Sequence, residues 1–320
     1  MNPIMIFLLL MSCLGFIDKF LGNKWGLMKP FNEGMALIGE LLVYIVGVYC
    51  VGLSLATTFA GHIAGATEGW FFDPSVISGS ILASDLGGYP VSTTIAQNPL
   101  IGRFSGVVIA GTLGILISFY LPVYLADLKG EDADKLTLGF LFGIVVLPVT
   151  MIVGGLFLEI SPGALIKNLI PVIIFCGLLL LGLLKAKKAT ITALGVFGKV
   201  FRVFTFGSFF IVVLGLFFPK LSLIDRTLSL DAVVMVARMG VTIAGSLVTV
   251  EICRRVFKKQ LDALSAKLRI NDWSLLGMLV ALPAGIANVE TTQSLLVFLF
   301  VKLAGGILAV TLASFYLRDK

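Results

Sequence analysis

The stretch Val76-Ile77-Ser78-Gly79-Ser80-Ile81-Leu82-Ala83-Ser84-Asp85-Leu86-Gly87-Gly88-Tyr89-Pro90 decides the fold. It opens on an apolar run, Val76 to Ala83, and breaks from Ser84 to Pro90. A helix cannot pass through Gly-Gly-x-Pro without losing backbone hydrogen bonds, and bare backbone in hydrocarbon costs several kcal/mol per group. A second stretch repeats the pattern: Leu275 to Leu282 is apolar, and Pro283-Ala284-Gly285-Ile286-Ala287-Asn288 follows. At membrane depth such breaks survive only where protein or a water-filled cavity surrounds them.

Composition supplies the membrane. Of 320 residues, 58% are hydrophobic and 13% charged, against about 45–50% and about 25% in a soluble domain. A soluble enzyme, a nucleic-acid binder and a disordered chain are excluded on that ground. A spanning helix needs about 20 apolar residues. Apolar runs at 2–17, 36–60, 105–126, 137–158, 169–184, 204–218, 232–253 and 295–316 predict about eight transmembrane helices, with 73–100 and 272–291 as two re-entrant or broken segments. The fold class is therefore all-α, a polytopic membrane protein with one integral membrane domain over 1–320. The segment Met1 to Ile17 has no basic residue ahead of its apolar run and no small-x-small cleavage pattern, so it reads as a first membrane helix rather than a signal peptide.

The net charge of +6 reports orientation. Lys19, Lys24 and Lys29 mark one loop, Lys185, Lys187, Lys188, Lys199 and Arg202 a second, and Arg254, Arg255, Lys258, Lys259, Lys267 and Arg269 a third. All three are expected on the cytoplasmic side, which requires 73–100 to enter and leave by one face as a re-entrant hairpin or broken helix. Within 185–203, Leu194, Phe197, Phe201 and Phe204 share one face and Lys199 and Arg202 another, which predicts a stretch lying along the inner interface.

A shift of 198 residues brings the two broken segments into register: Gly79, Ala83, Gly87, Val91, Thr93 and Thr94 fall on Gly277, Ala281, Gly285, Val289, Thr291 and Thr292. One residue of slip then sets Arg103 on Lys302. The reading divides the chain into a first repeat over 33–126, connecting helices over 127–231 and a second repeat over 232–317. Loop charges run 36–60 from inside to outside and 232–253 from outside to inside, so the repeats are inverted. Inverted repeats whose broken helices meet near the midplane are the build of many secondary transporters. That build favours transport without naming a solute.

A charge at bilayer depth needs a partner or a task. Asp85, at the first break, reads either as a carboxylate for a cationic solute or coupling ion, or as a residue that fixes the hairpin. Unwound backbone at Gly87, Gly88 and Tyr89 offers further ligands. Thr93 and Thr94 beside the first break, and Asn288, Thr291 and Thr292 at the second, supply polar groups that serve a solute or interhelical hydrogen bonds. Glu40 and Arg238 are related by the same 198-residue offset and are expected as a buried ion pair that fixes register or gates. Arg103 and Lys302 are accounted for by snorkelling beside helix ends. Cys13, Cys50, Cys176 and Cys253 lie far apart with no CxxC, and His62 is the only histidine, so neither a metal site nor a disulfide framework is indicated. No P-loop, HExxH or GxSxG is present, and neither a cofactor nor an enzymatic activity is implied.

Asp73-Pro74-Ser75 followed by Gly79-Ser80-Ile81-Leu82-Ala83-Ser84-Asp85-Leu86-Gly87-Gly88 resembles the signature of the ethanolamine permease family, the H protein of the ethanolamine-utilisation operon, which reads N-P-S and then G-T-L-L-A-x-D-M-G-G. Leu138-Gly139 to Gly155, Asn168-Leu169-Ile170-Pro171-Val172, and Leu268-Arg269-Ile270-Asn271-Asp272 with Gly277-Met278 extend the likeness over most of 15–282. Family members carry Asn-Asn-Ile-Pro where this chain has Leu282-Pro283-Ala284-Gly285, and they run past its length, so the resemblance is to a shortened or divergent member. It implies uptake of ethanolamine across the inner (plasma) membrane, with Asp85 taking the ammonium and Thr93, Thr94, Asn288 or backbone taking the hydroxyl. The residues alone leave open a transporter of an amino acid or organic acid, or a non-transporting membrane scaffold or sensor. A homo-oligomer and a coupling ion are both compatible with the build, and the sequence names neither.

Overall fold

The computed structural model describes residues 3–120, 131–260 and 292–318, and every regular element among them is helical. We number the helices α1 (Pro3–Phe20), α2 (Met28–Ala66), α3 (Ser75–Ile81), α4 (Tyr89–Ile95), α5 (Pro99–Gly114), α6 (Glu131–Phe157), α7 (Pro162–Lys185), α8 (Lys187–Phe217), α9 (Arg226–Val256) and α10 (Thr292–Arg318). Among these, α1, α2, α7, α8, α9 and the Gly139–Phe157 part of α6 are long and apolar enough to cross a membrane; α5 and the Leu296–Ala309 part of α10 are shorter apolar helices. Each of them lies on one of the apolar runs. Their outer faces are greasy: Leu178, Leu184, Val203, Phe210 and Phe217 are among many large exposed hydrophobics. An apolar surface of this extent belongs against lipid or protein rather than water.

Two buried clusters form the core. One gathers Phe104, Ile109, Leu113, Met151, Leu165, Leu169 and Phe298 from α5, α6, α7 and α10. The other gathers Ile45, Val46, Val48, Val212, Val236 and Met239 from α2, α8 and α9. The short helices α3 and α4 and the turn between them join the two, because Val76 belongs to the first cluster and Ala83 and Leu86 to the second.

Helices α2 and α9 pack closely at glycines: Gly34 meets the backbone of Ala244, and Gly240 receives the side chain of Ile38. Numbers rise along one helix as they fall along the other, so the pair is antiparallel, and the same register sets residue 40 level with residue 238. At the basic end, the guanidinium of Arg255 donates to the carbonyls of Trp25 and Gly26 and to Glu251. Asp18, buried at the end of α1, accepts the N–H groups of Trp25 and Leu27, each at 2.7 Å. The first basic loop is thus bound to the start of the third.

The stretch 185–203 is continuous with the next apolar run: α8 runs unbroken from Lys187 to Phe217, and only Ala186 parts it from α7. Of its apolar face, Leu194 packs on the first buried cluster and Phe201 on the second, while Phe197 and Phe204 are exposed.

Candidate functional site

The broken segment forms a helical hairpin closed at its open end by Asp73. The carboxylate of Asp73 accepts the backbone N–H of Ser75 at 2.9 Å, of Gln97 at 3.0 Å and of Asn98 at 2.9 Å, so both ends of the segment are tied to one buried side chain. Asn168 of α7 accepts the N–H of Asp73 at 2.7 Å. Along the hairpin the contacts are small hydroxyls. Ser78 and Ser92 hydrogen-bond across it at 2.8 Å, and Ser75 donates to Ser105 of α5 at 3.0 Å.

At the other end the chain unwinds at Leu82 (φ −101°, ψ 130°) and Ala83 (φ −63°, ψ 152°). The freed groups are recovered locally. The carbonyl of Ala83 accepts from Leu86 at 3.0 Å and Gly88 at 2.8 Å, and the N–H of Ala83 donates to Ser118 Oγ at 3.0 Å. The turn closes through Gly87 at φ +95°, a backbone conformation open to glycine and strained for other residues, against the backbone of Tyr49 in α2. A buried turn with internal partners satisfies the requirement that breaks at membrane depth be enclosed.

Asp85 sits in this turn, only 8% exposed. Its carboxylate faces its own backbone N–H and that of Leu86, and it lies within electrostatic range of Lys302 on α10. Lys302 Nζ stands 5.0 Å from the centroid of the Phe298 ring, a cation–π distance. Phe298 in turn presses on Gly111 of α5, where the Ser84 hydroxyl also arrives, and Ser84 donates to the carbonyl of Gly106 at 2.9 Å. A carboxylate, an ammonium, an aromatic face and unwound backbone therefore share one buried corner. Such a corner can hold a small cation by charge and by hydrogen bonds at once.

The other expected residues divide. Gly87 and Gly88 are buried in the turn and Tyr89 begins α4 from it. Thr93 and Thr94 are not directed to Asp85: Thr93 is exposed, and both hydroxyls donate to carbonyls of their own helix, Thr94 to Pro90 at 2.7 Å and Thr93 to Tyr89 at 3.0 Å. Asn288 and Thr291, with the broken segment 272–291, lie outside the described residues, and of Thr292 only its place at the start of α10 is described. Glu40 and Arg238 are level with each other, as the offset expects, but both are exposed and no ion pair joins them. Neither lies on the face where α2 and α9 touch. Arg238 instead lines an apolar groove of about 560 Å³ between α1 and α9, with Met5, Leu9, Val234 and Val241.

Sequence reading missed Lys302 as a charge within electrostatic range of Asp85. The signal was present, since a lysine inside the apolar run of α10 is costly when left alone. It placed Asp73 in the family motif but gave it no role, and Asp73 is the clasp of the hairpin.

Residues 1–296 match the family described as ethanolamine utilisation protein, EutH. A protein of Listeria monocytogenes named a probable ethanolamine permease EutH is 31% identical over 290 residues, covering 89% of this chain and 77% of that protein. The uncharacterized protein YxeR of Bacillus subtilis is 27% identical over 289 residues, 88% of this chain and 76% of its own length. The Escherichia coli protein named a probable ethanolamine permease EutH is 30% identical over 197 residues, 58% of this chain and 48% of that protein. No solved structure matches. With most of its length matched, and with the hairpin that carries Asp85 inside the matched stretch, the chain belongs to the EutH family of ethanolamine utilisation proteins.

Proposed function

We propose that this chain is a permease that moves ethanolamine across the inner (plasma) membrane, with Asp85 as the group that receives it. Ethanolamine is mostly an ammonium ion at neutral pH, so it needs a negative charge where the membrane would otherwise exclude it. The observation that carries the reading is Asp85 itself: a carboxylate 8% exposed, at the unwound tip of a hairpin, in a member of the EutH family. Backbone at Gly87 and Gly88, with Tyr89, is the nearest source of partners for the hydroxyl. Asn288, Thr291 and Thr292 of the second broken segment complete the pocket from the other repeat.

The architecture belongs to the same proposal. Eight crossings and two re-entrant segments form an inverted repeat whose first helices are α2 and α9. Their antiparallel packing supports this, as does the binding of the 21–27 loop to the end of α9.

Proteoliposomes carrying the chain should accumulate radiolabelled ethanolamine against a protein-free control, and Asp85→Asn should abolish uptake while leaving the protein folded. Absence of uptake by the unaltered chain would overturn the reading. Uptake unchanged by Asp85→Asn would remove Asp85 from it.

A further inference from the structure

Asp85 is only 8% exposed, so a solute reaches it only after the turn around it is uncovered. The turn lies where the two buried clusters meet. Ala83 and Leu86, on either side of Asp85, are seated among α2, α8 and α9 in the second cluster. The polar bonds of the same turn run the other way, to the segment that follows the hairpin: the N–H of Ala83 donates to Ser118 Oγ at 3.0 Å, and Ser84 donates to the carbonyl of Gly106 at 2.9 Å. Hydrogen bonds are directional and apolar contacts are not. If the clusters part, the turn therefore stays with α5, α6, α7 and α10 and withdraws from α2, α8 and α9.

The described links between these two parts are unlike. At the hairpin base the side-chain amide of Gln97 donates to the carbonyl and the hydroxyl of Thr67, at 3.1 and 2.9 Å, which tethers the end of α2. The other link is α8. It is one continuous helix, yet Ile191 and Leu194 pack on the first cluster and Phe201, Phe209 and Val212 belong to the second. Gly195 and Gly198 stand between those two sets. Glycine inside a helix yields to bending more readily than a residue with a Cβ. We propose that α8 is the hinge of the protein: it flexes at Gly195–Gly198, so that α5, α6, α7 and α10 carry the hairpin away from α2 and α9 and open Asp85 to solute. This rests on the reading of Asp85 as the solute site. Hinges of this kind are a few positions, distant from the chemistry, that absorb a change in backbone angle.

The test uses the full chain in proteoliposomes. Nothing packs within 4 Å of where a Cβ at Gly195 would stand, so Gly195→Ala adds a methyl without a clash and stiffens the helix. Uptake of labelled ethanolamine should slow about two- to fivefold, the factor by which alanine favours an unbent helix over glycine, while the melting temperature rises. Gly207→Ala, further along α8, and Gly177→Ala on α7 also meet open space, and each lies in a stretch that packs on a single cluster. Both should raise the melting temperature and leave uptake unchanged. Val196 is exposed, and Val196→Gly added to Gly195→Ala returns a glycine between the two packed stretches and should restore uptake. Normal uptake by Gly195→Ala, equal slowing by Gly207→Ala, or no restoration by Val196→Gly overturns the hinge. A second measurement does not depend on transport. Nitroxides at Ile166→Cys on α7 and Phe217→Cys on α8, both exposed positions, in a chain carrying Cys13→Ser and Cys253→Ser, should give a broad spread of distances that narrows with Gly195→Ala. An identical spread with and without Gly195→Ala overturns the hinge. If the unaltered chain takes up no ethanolamine while the spread narrows, the permease reading fails and the hinge stands.

Discussion

Asp73 Oδ2 accepts the backbone N–H of Asn98 at 2.9 Å, which ties the first residue of the broken segment to the far end of it. The same carboxylate holds Ser75 and Gln97. Substituting alanine leaves three N–H groups without an acceptor in a poorly hydrated place, at about 1–3 kcal/mol each where burial is complete. Asp73→Ala should therefore destabilise the protein by about 3 kcal/mol or more, read as a lower melting temperature in detergent, and should open 67–98 to protease. Asp73→Asn, which keeps one acceptor oxygen, should lie between. A melting temperature equal to that of the unaltered chain would show that the clasp is not needed.

Gly87 and Gly114 are limited by different things. Gly87 is held at φ +95°, so any side chain there is strained whatever the space, at about 1–3 kcal/mol. Gly114 ends the wide-turned π-helical stretch Ser105–Gly114 and faces the carbonyls of Leu82 and Gly79 with no room for a Cβ. Gly87→Ala and Gly114→Ala should both lower stability and uptake, Gly114→Ala the more, because backbone cannot move aside as a side chain can. Gly61→Ala and Gly65→Ala, which meet open space on α2, serve as controls and should change stability by less than about 0.5 kcal/mol.

Glu40 and Arg238 give a prediction of independence. They stand level but face outward without an ion pair, so the effects of Glu40→Ala and Arg238→Ala on stability should add within about 0.5 kcal/mol. Repair of Arg238→Ala by Glu40→Ala would contradict the geometry. Arg238→Met should be tolerated, since the groove around it is lined by Met5, Leu9, Val234 and Val241.

The sequence made some of this legible and hid the rest for physical reasons. Hydropathy located the helices, since lipid demands an unbroken apolar run and an unbroken run is easy to see. Gly-Gly-x-Pro located the turn, since backbone chemistry is local. The offset between Glu40 and Arg238 predicted their level on the α2–α9 pair, but each residue of a helix turns the side chain by about 100°, so level does not fix direction. The apolar stripe of 185–203 could face lipid or protein with the same spacing, and it does both: Leu194 and Phe201 pack on the buried clusters while Phe197 and Phe204 stay exposed. That Lys302 comes within electrostatic range of Asp85 joins distant segments of the chain, and only the cost of a lone buried charge hinted at it.

The hydroxyls along the hairpin have a consequence for how this protein can change over generations. Ser75, Ser78, Ser84, Ser92, Ser105 and Ser118 hold it to itself and to the segment 99–120 through hydroxyl hydrogen bonds. Losing a hydroxyl there leaves its buried partner short of a hydrogen bond, so these sites tolerate little change, while the exposed apolar sides of α7 and α8 are free to wander among apolar types. Divergence from relatives should therefore collect on the outside of the molecule, and a new solute preference would have to arise at the turn or on α10 and not along the shaft of the hairpin.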